Sequence, residues 1–205
     1  MAGLEGIALR PLDGAELKAA ALLAARAMRD NPLQIVAIGQ DPERRLRLMY
    51  RGFSRLLRLD GRATVGAWDG DRLVGVAATA EPGHCQPSTR ERLRLAPTFL
   101  IAGRAAPRLG RWMSAWAKYD PAEPHSHLGP VGVDPELQGR GVGSMLLAEY
   151  CQRLDQRRML SYLETDKPEN VRLYKRFGYH MTAEAEVLGV TSWFMTREPT
   201  PLTGK

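Results

Sequence analysis

Leu128-Gly-Pro-Val-Gly-Val-Asp-Pro-Glu-Leu-Gln-Gly-Arg-Gly-Val-Gly-Ser-Met-Leu-Leu147 runs from a β-like stretch through three alternate glycines, Gly139, Gly141 and Gly143, into an amphipathic helix. Glycines at this density let the backbone turn its N–H groups inward with no side chain between them and a ligand. The start of the following helix adds partial positive charge, and Arg140 adds a full one. The stretch therefore predicts an anion site at a strand–turn–helix junction.

Three chemistries use such a junction. A Walker A loop needs Lys-Ser/Thr after its last glycine, and Gly143 is followed by Ser144-Met145, which excludes it. A dinucleotide fingerprint fits Gly139-x-Gly141-x-x-Ser144, with Glu164 ending the next strand at a suitable distance. Its third position is serine, however, and too little chain follows for a doubly wound sheet. A second motif favours the third chemistry. In Asn170-Val-Arg-Leu-Tyr174-Lys-Arg-Phe-Gly178-Tyr179, Asn170 and Tyr174 stand four apart and project from one helix face. A helix-start residue and a core aromatic would explain either one taken alone.

Together the two motifs carry a resemblance. Gln138-Gly139-Arg140-Gly141-Val142-Gly143 resembles motif A of the GNAT N-acetyltransferases, Gln/Arg-x-x-Gly-x-Gly/Ala. Asn170 to Tyr179 resembles their motif B, Asn-x-x-x-Tyr-x-x-x-Gly-Phe/Tyr, and Tyr162-Leu-Glu-Thr165 is similar to the strand before it. The motifs cover Val131 to Tyr179. The resemblance implies acetyl-coenzyme A as co-substrate and no metal. It implies a mixed α/β fold with a mostly antiparallel sheet, in which the strand ending at Val133 splays from the strand Leu160 to Thr165. Pantetheine would lie in that gap, bonded by the backbone of Val131 and Val133 and by Asn170. Pyrophosphate would sit on the turn formed by Gln138, Gly139, Arg140, Gly141, Val142, Gly143 and Ser144. Tyr174 would protonate the departing thiolate. The mechanism implied is direct transfer to a primary amine, without an acyl-cysteine.

Outward from the motifs, hydrophobic periodicity supplies the remaining elements. Ile7 to Arg10 reads as a strand, and Leu17, Ala21, Ala24 and Met28 as a helix ending at the Asn31-Pro32 break. Asp41-Pro42 opens a second helix, with an N-cap and proline at the first helical position. Thr64 to Trp68 and Leu73 to Thr79 form a hairpin through Asp69-Gly70. His125 to Val133, Leu160 to Thr165, Met181 to Leu188 and Val190 to Thr196 read as strands. Helices are expected from Gly141 to Arg157 and from Pro168 to Phe177. The whole chain, residues 1–205, reads as one domain with a helical insertion at about 81–124. Within that insertion Arg90 to Arg104 is helical in pattern, with Pro97 expected to kink or split it. Trp112, Trp116 and Tyr119 share a face that either roofs an acceptor pocket or buries itself against the domain or a second subunit of a homodimer.

His125 and His127 alternate on one face of the strand that carries Val131 and Val133. Imidazole titrates near neutrality and suits a general base. His127 stands six residues before Val133, where some members of the resembled family carry a catalytic glutamate. Arylalkylamine acetyltransferases carry a His-x-His pair on this strand, shifted by two. Both histidines could equally be polar residues at a pocket rim. Glu81, Glu123 and Glu164 are reserve bases. A zinc site would need further ligands at suitable spacing, and the sequence offers none. His84 and Cys85 are adjacent, so their side chains diverge and do not form a nucleophile pair.

Composition narrows the setting. No apolar run reaches the length of a membrane span, and Met1 to Leu9 lacks the basic start and apolar stretch of a signal peptide. Two cysteines, Cys85 and Cys151, cannot make a disulfide framework, so a cytoplasmic location is expected. The net charge of +6 comes from 29 basic residues, of which five are lysine and the rest scattered arginines. Without a block of like charge or a recognised module, that charge suits coenzyme A better than nucleic acid. Two contrasting functions share the fold: a non-catalytic acyl-coenzyme A sensor, and a toxin-like acetyltransferase acting on charged tRNA.

Overall fold

The computed structural model describes residues 6–200; residues 1–5 and 201–205, and with them part of the Met1 to Leu9 stretch, lie outside it. In chain order the elements are β1 (Ile7–Pro11), α1 (Leu17–Met28), α2 (Pro32–Ile38), α3 (Pro42–Leu56), β2 (Arg62–Asp69), β3 (Arg72–Ala80), α4 (Thr89–Ala102), α5 (Ala106–Trp116), β4 (His125–Val133), α6 (Val142–Arg157), β5 (Leu160–Thr165), α7 (Pro168–Arg176), β6 (His180–Val187) and β7 (Val190–Arg197). The strands form one sheet in the order β1-β2-β3-β4-β5-β7-β6. Every neighbouring pair is antiparallel except β4 and β5.

Two prolines behave differently from expectation. Asn31-Pro32 ends α1 but also starts a helix, because proline at the first helical position has no N–H to lose. Pro97 lies inside α4 without splitting it. That helix is secured at its start by a capping box between Ser88 and Glu91 and held to the domain by buried Leu95. Asp41 caps α3 as expected, its carboxylate accepting from the N–H groups of Glu43 and Arg44.

The sheet is covered on both faces. α1 lies on one face, and its Ala20, Ala21, Ala24 and Ala25 are fully buried. Small residues allow a close approach: a Cβ on Gly132 of β4 would stand 3.1 Å from the Ala24 Cα. α6 covers the other face with Leu146, Leu147 and Leu154, against Val65, Ala67 and Met195. Along β7 the alternation of faces sends Met195 toward α6 and Phe194 the other way. There Tyr119 stacks on Phe194 at 3.9 Å between ring centroids, and the Trp116 indole N–H donates to Ser192 Oγ. The aromatic face of the 81–124 segment is therefore packed against β7.

β4 and β5 pair over only three residues, His125 to His127 against Leu160 to Tyr162, and then part. A chain of buried hydroxyls fastens this short rung. Tyr150 of α6 bonds Ser126 and Ser161 at 2.9 Å each, and Ser161 bonds Tyr179 at 2.7 Å.

The far end is held by an ion pair. Arg197, 5% exposed, donates both terminal nitrogens to Asp155 of α6 at 2.8 Å, and its Nε to the Phe177 carbonyl. Hydrogen bonds from Arg197 hold the Asp155 carboxyl below its ordinary pKa. Its contribution to stability is thus present above the unfolded-state value and is lost as pH falls through the folded one. Asp155→Ala leaves a buried cation unpaired, and a loss of about 3 kcal/mol in urea unfolding is expected. A loss under about 1 kcal/mol, the value of a surface pair, would contradict it.

Candidate active site

Where β4 and β5 part, a cleft of about 730 Å3 opens. One wall is the outer half of β4, His127 to Val133. The Asp134 N–H bonds the Val74 carbonyl of β3. Because strand hydrogen-bonding groups alternate in direction, those of Val131 and Val133 face the gap instead. The Val133 carbonyl accepts from Gln138 Nε2 at 3.2 Å, which folds that side chain back onto the strand end.

The glycine turn forms one end of the cleft. Asp134 anchors it by accepting from the Glu136 N–H and from Arg72. Gly139 and Gly141 have φ of 77° and 97°, the left-handed region that glycine enters without strain. Helix α6 begins at Val142, one residue later than the pattern predicts, and its first intrahelical bond runs from Met145 N–H to the Gly141 carbonyl. The N–H groups of Val142, Gly143 and Ser144 precede that bond and have no helical acceptor. Gln138, Gly139, Gly141, Val142, Gly143 and Ser144 all line the cleft. Arg140 is exposed and is not part of its wall.

Across the gap, α7 contributes Asn170 and Tyr174, and β5 contributes Glu164 and Thr165. Asn170 Nδ2 donates to Thr165 Oγ1 at 3.2 Å, which fixes the amide at the end of β5. Tyr174 is 7% exposed; burial, with Glu164 and Asp166 nearby, pushes its hydroxyl up to about 12. It keeps its proton throughout the neutral range.

The two histidines separate in role. His127 lines the cleft, and its Nε2 lies 2.7 Å from Glu164 Oε2. Burial disfavours the imidazolium, but the Glu164 carboxylate and Cys85 together outweigh it and raise His127 to about 10. Its Nδ1 is buried without a hydrogen-bond partner. His125 is not part of the wall: its Nε2 is 3.1 Å from Cys85 Sγ and its Nδ1 2.8 Å from the Glu123 carbonyl. Cys85 thus pairs across 40 residues with His125, not with its neighbour His84.

Asp120, His127 and Glu164 bring one nitrogen and two carboxylate oxygens within 4.8 Å of one another. Spacing along the chain could not indicate this group, since it depends on the short parallel register of β4 on β5 and on the loop after α5. The opposite wall was equally hidden. It consists of Asn31 and Gln34 at α2, Cys85 to Pro87, and Trp112 and Trp116 of α5. The only signal for it was the aromatic spacing in α5.

Among the described residues no helix is long and apolar enough to cross a membrane. Residues 33–179 match the model of the Acetyltransferase (GNAT) family. The chain belongs to that family, whose members take an acetyl group from acetyl-coenzyme A.

Mycothiol acetyltransferase of Saccharomonospora viridis is 29% identical over 146 residues, which are 62% of this chain and 47% of that protein. The chain therefore matches about half the length of this curated relative. Among solved structures, the histone acetyltransferase HPA2 and related acetyltransferase from Corynebacterium glutamicum superposes with a TM-score of 0.73 at 21% identity, over 97% of this chain and 99% of that one. The structure of yncA from Salmonella typhimurium with its cofactor acetyl-CoA gives 0.58 at 15% identity, over 97% of each chain. At these identities the structural likeness establishes the fold.

Proposed function

We propose that the chain transfers an acetyl group from acetyl-coenzyme A directly to a primary amine bound in the cleft. One observation carries the reading: a single cleft joins an anion-binding turn, strand backbone turned to the gap, a protonated tyrosine and an imidazole–carboxylate pair. In this reading the N–H groups of Gly139, Gly141, Val142, Gly143 and Ser144 hold the pyrophosphate. The backbone of Val131 and Val133, with Asn170, aligns pantetheine. An N–H near Val133 polarises the thioester carbonyl as charge develops there, and Tyr174 delivers a proton to the departing thiolate.

The wall carries carboxylates, which support an amine, together with the basic Arg62, Lys167 and Arg176. Glu164 lines the cleft, and an ammonium would meet its carboxylate before losing its proton. His127 with Glu164 takes that proton; His125, turned onto Cys85, has no part in it.

The test is coenzyme A release over a panel of alkylamines, polyamines and peptides. Acceptor-dependent release is expected, and acetyl-coenzyme A binding without release from any amine would favour a sensor. A companion variant, Gly141→Val, places a β-branched side chain at a left-handed position. It should weaken acetyl-coenzyme A binding by at least ~10-fold through a misdirected turn. Unchanged affinity by calorimetry would remove the turn from the cofactor site.

A further inference from the structure

Cys85, in the loop between β3 and α4, lines the same cleft, yet the transfer proposed above leaves it unused. Its surroundings are those of an activated thiol. The Glu123 carbonyl accepts from His125 Nδ1–H, which fixes the tautomer and turns the Nε2 lone pair to the sulfur. Nucleophile, base and orienting group are then in line, as thiol activation requires. His125 is 6% exposed, so water does not compete for that lone pair. Arg62 donates to the carbonyls of His84 and Cys85 and places a cation beside them.

Burial alone would raise this thiol, but the two histidines overcome it and bring Cys85 down to about 7. Cys151, buried without such partners, is pushed up to about 11. It serves as an internal comparison.

The cleft around Cys85 also has unanswered polar groups. Gln34, 4% exposed, has an amide oxygen with no hydrogen-bond partner, and the Trp112 indole N–H has none either. Both residues line the wall that Cys85 belongs to. A ligand seated there would meet them.

We propose that Cys85 is a thiol–disulfide exchange site for coenzyme A disulfide, and that the mixed disulfide closes the cleft to acetyl-coenzyme A. The proposal rests on the reading of the cleft as a coenzyme A site. His125 takes the Cys85 proton, and the thiolate attacks one sulfur of the disulfide. The bond from Cys85 Sγ to that sulfur forms as the original sulfur–sulfur bond breaks. The electron pair leaves on the second coenzyme A as its thiolate. Cys85 is oxidised, the disulfide is reduced by the same two electrons, and no other oxidant is needed. Binding of the coenzyme A portion in the cleft brings the disulfide to the thiolate, which a small disulfide lacks.

The test treats the reduced full-length chain with coenzyme A disulfide or with cystamine, followed by intact and peptide mass spectrometry. One coenzyme A is expected on Cys85 and none on Cys151, forming at least ~10-fold faster than the cystamine adduct. Coenzyme A release activity should fall in step with the adduct and return with dithiothreitol. His125→Gln should slow the exchange, and Cys85→Ser should show neither adduct nor loss from its own starting rate. Equal rates with cystamine, modification of Cys151, or an acetyl adduct on Cys85 from acetyl-coenzyme A alone would overturn the proposal. Calorimetry with coenzyme A on Cys85→Ser separates the two readings. Binding there without exchange in the wild-type chain sinks the disulfide site alone, whereas absence of binding removes the parent reading and the proposal with it.

Discussion

Tyr174→Phe should lower kcat by about 10²-fold, the lower end of general-acid effects, with coenzyme A affinity nearly unchanged. The ring stays in place, packed 5.8 Å from the Tyr179 ring, so the variant removes one hydroxyl and little else. A hydroxyl near 12 would be a poor donor to a thiolate in water, where an ordinary thiol titrates at about 8.5. In the cleft, however, the departing thiolate is desolvated too. Desolvation raises a thiol's pKa and narrows the gap between donor and acceptor. The proton can then move as charge accumulates on sulfur, and the interaction is strongest in the transition state. Its loss should appear in kcat and spare the dissociation constant. An unchanged kcat would take Tyr174 out of the acid role.

Glu164→Gln tests the other proton. Only neutral imidazole can accept one, and in the wild-type chain the neighbouring carboxylate and Cys85 hold His127 protonated up to about 10. The ascending limb of kcat/KM is therefore expected on the alkaline side. The amide keeps the shape of Glu164 and removes its charge, so His127 loses its strongest raising influence and only Cys85 still opposes burial. The limb should then move to lower pH. His127→Ala should remove the limb. A limb that stays where it was in Glu164→Gln would assign the base elsewhere.

The cofactor half of this site was legible because its residues are close in sequence and their spacing is dictated by backbone chemistry. Alternate glycines before a helix, and a tyrosine one turn after an asparagine, have few other uses in combination. The sheet followed from strand periodicity and from the resemblance. The acceptor half was not legible. His127 meets Glu164 across 37 residues and Cys85 meets His125 across 40, through a three-residue parallel register that no local pattern encodes. Adjacency argued against pairing Cys85 with His84, as the fold bears out, but gave no hint of its contact with His125. α2 escaped notice because proline reads as a stop after α1 and serves equally as a start.

The brief rung between β4 and β5 makes the sheet two half-sheets sharing a hinge. β1 to β4 lie on one side and β5, β7 and β6 on the other, joined by three residue pairs and a hydroxyl staple. Beyond the rung, a molecule that bonds both edges takes the place of the missing strand. Such a molecule is also a structural member, and at a hundred times its dissociation constant it adds roughly 2.7 kcal/mol to stability. Amide exchange along the outer half of β4 should slow when it binds, and the hinge should stiffen with it.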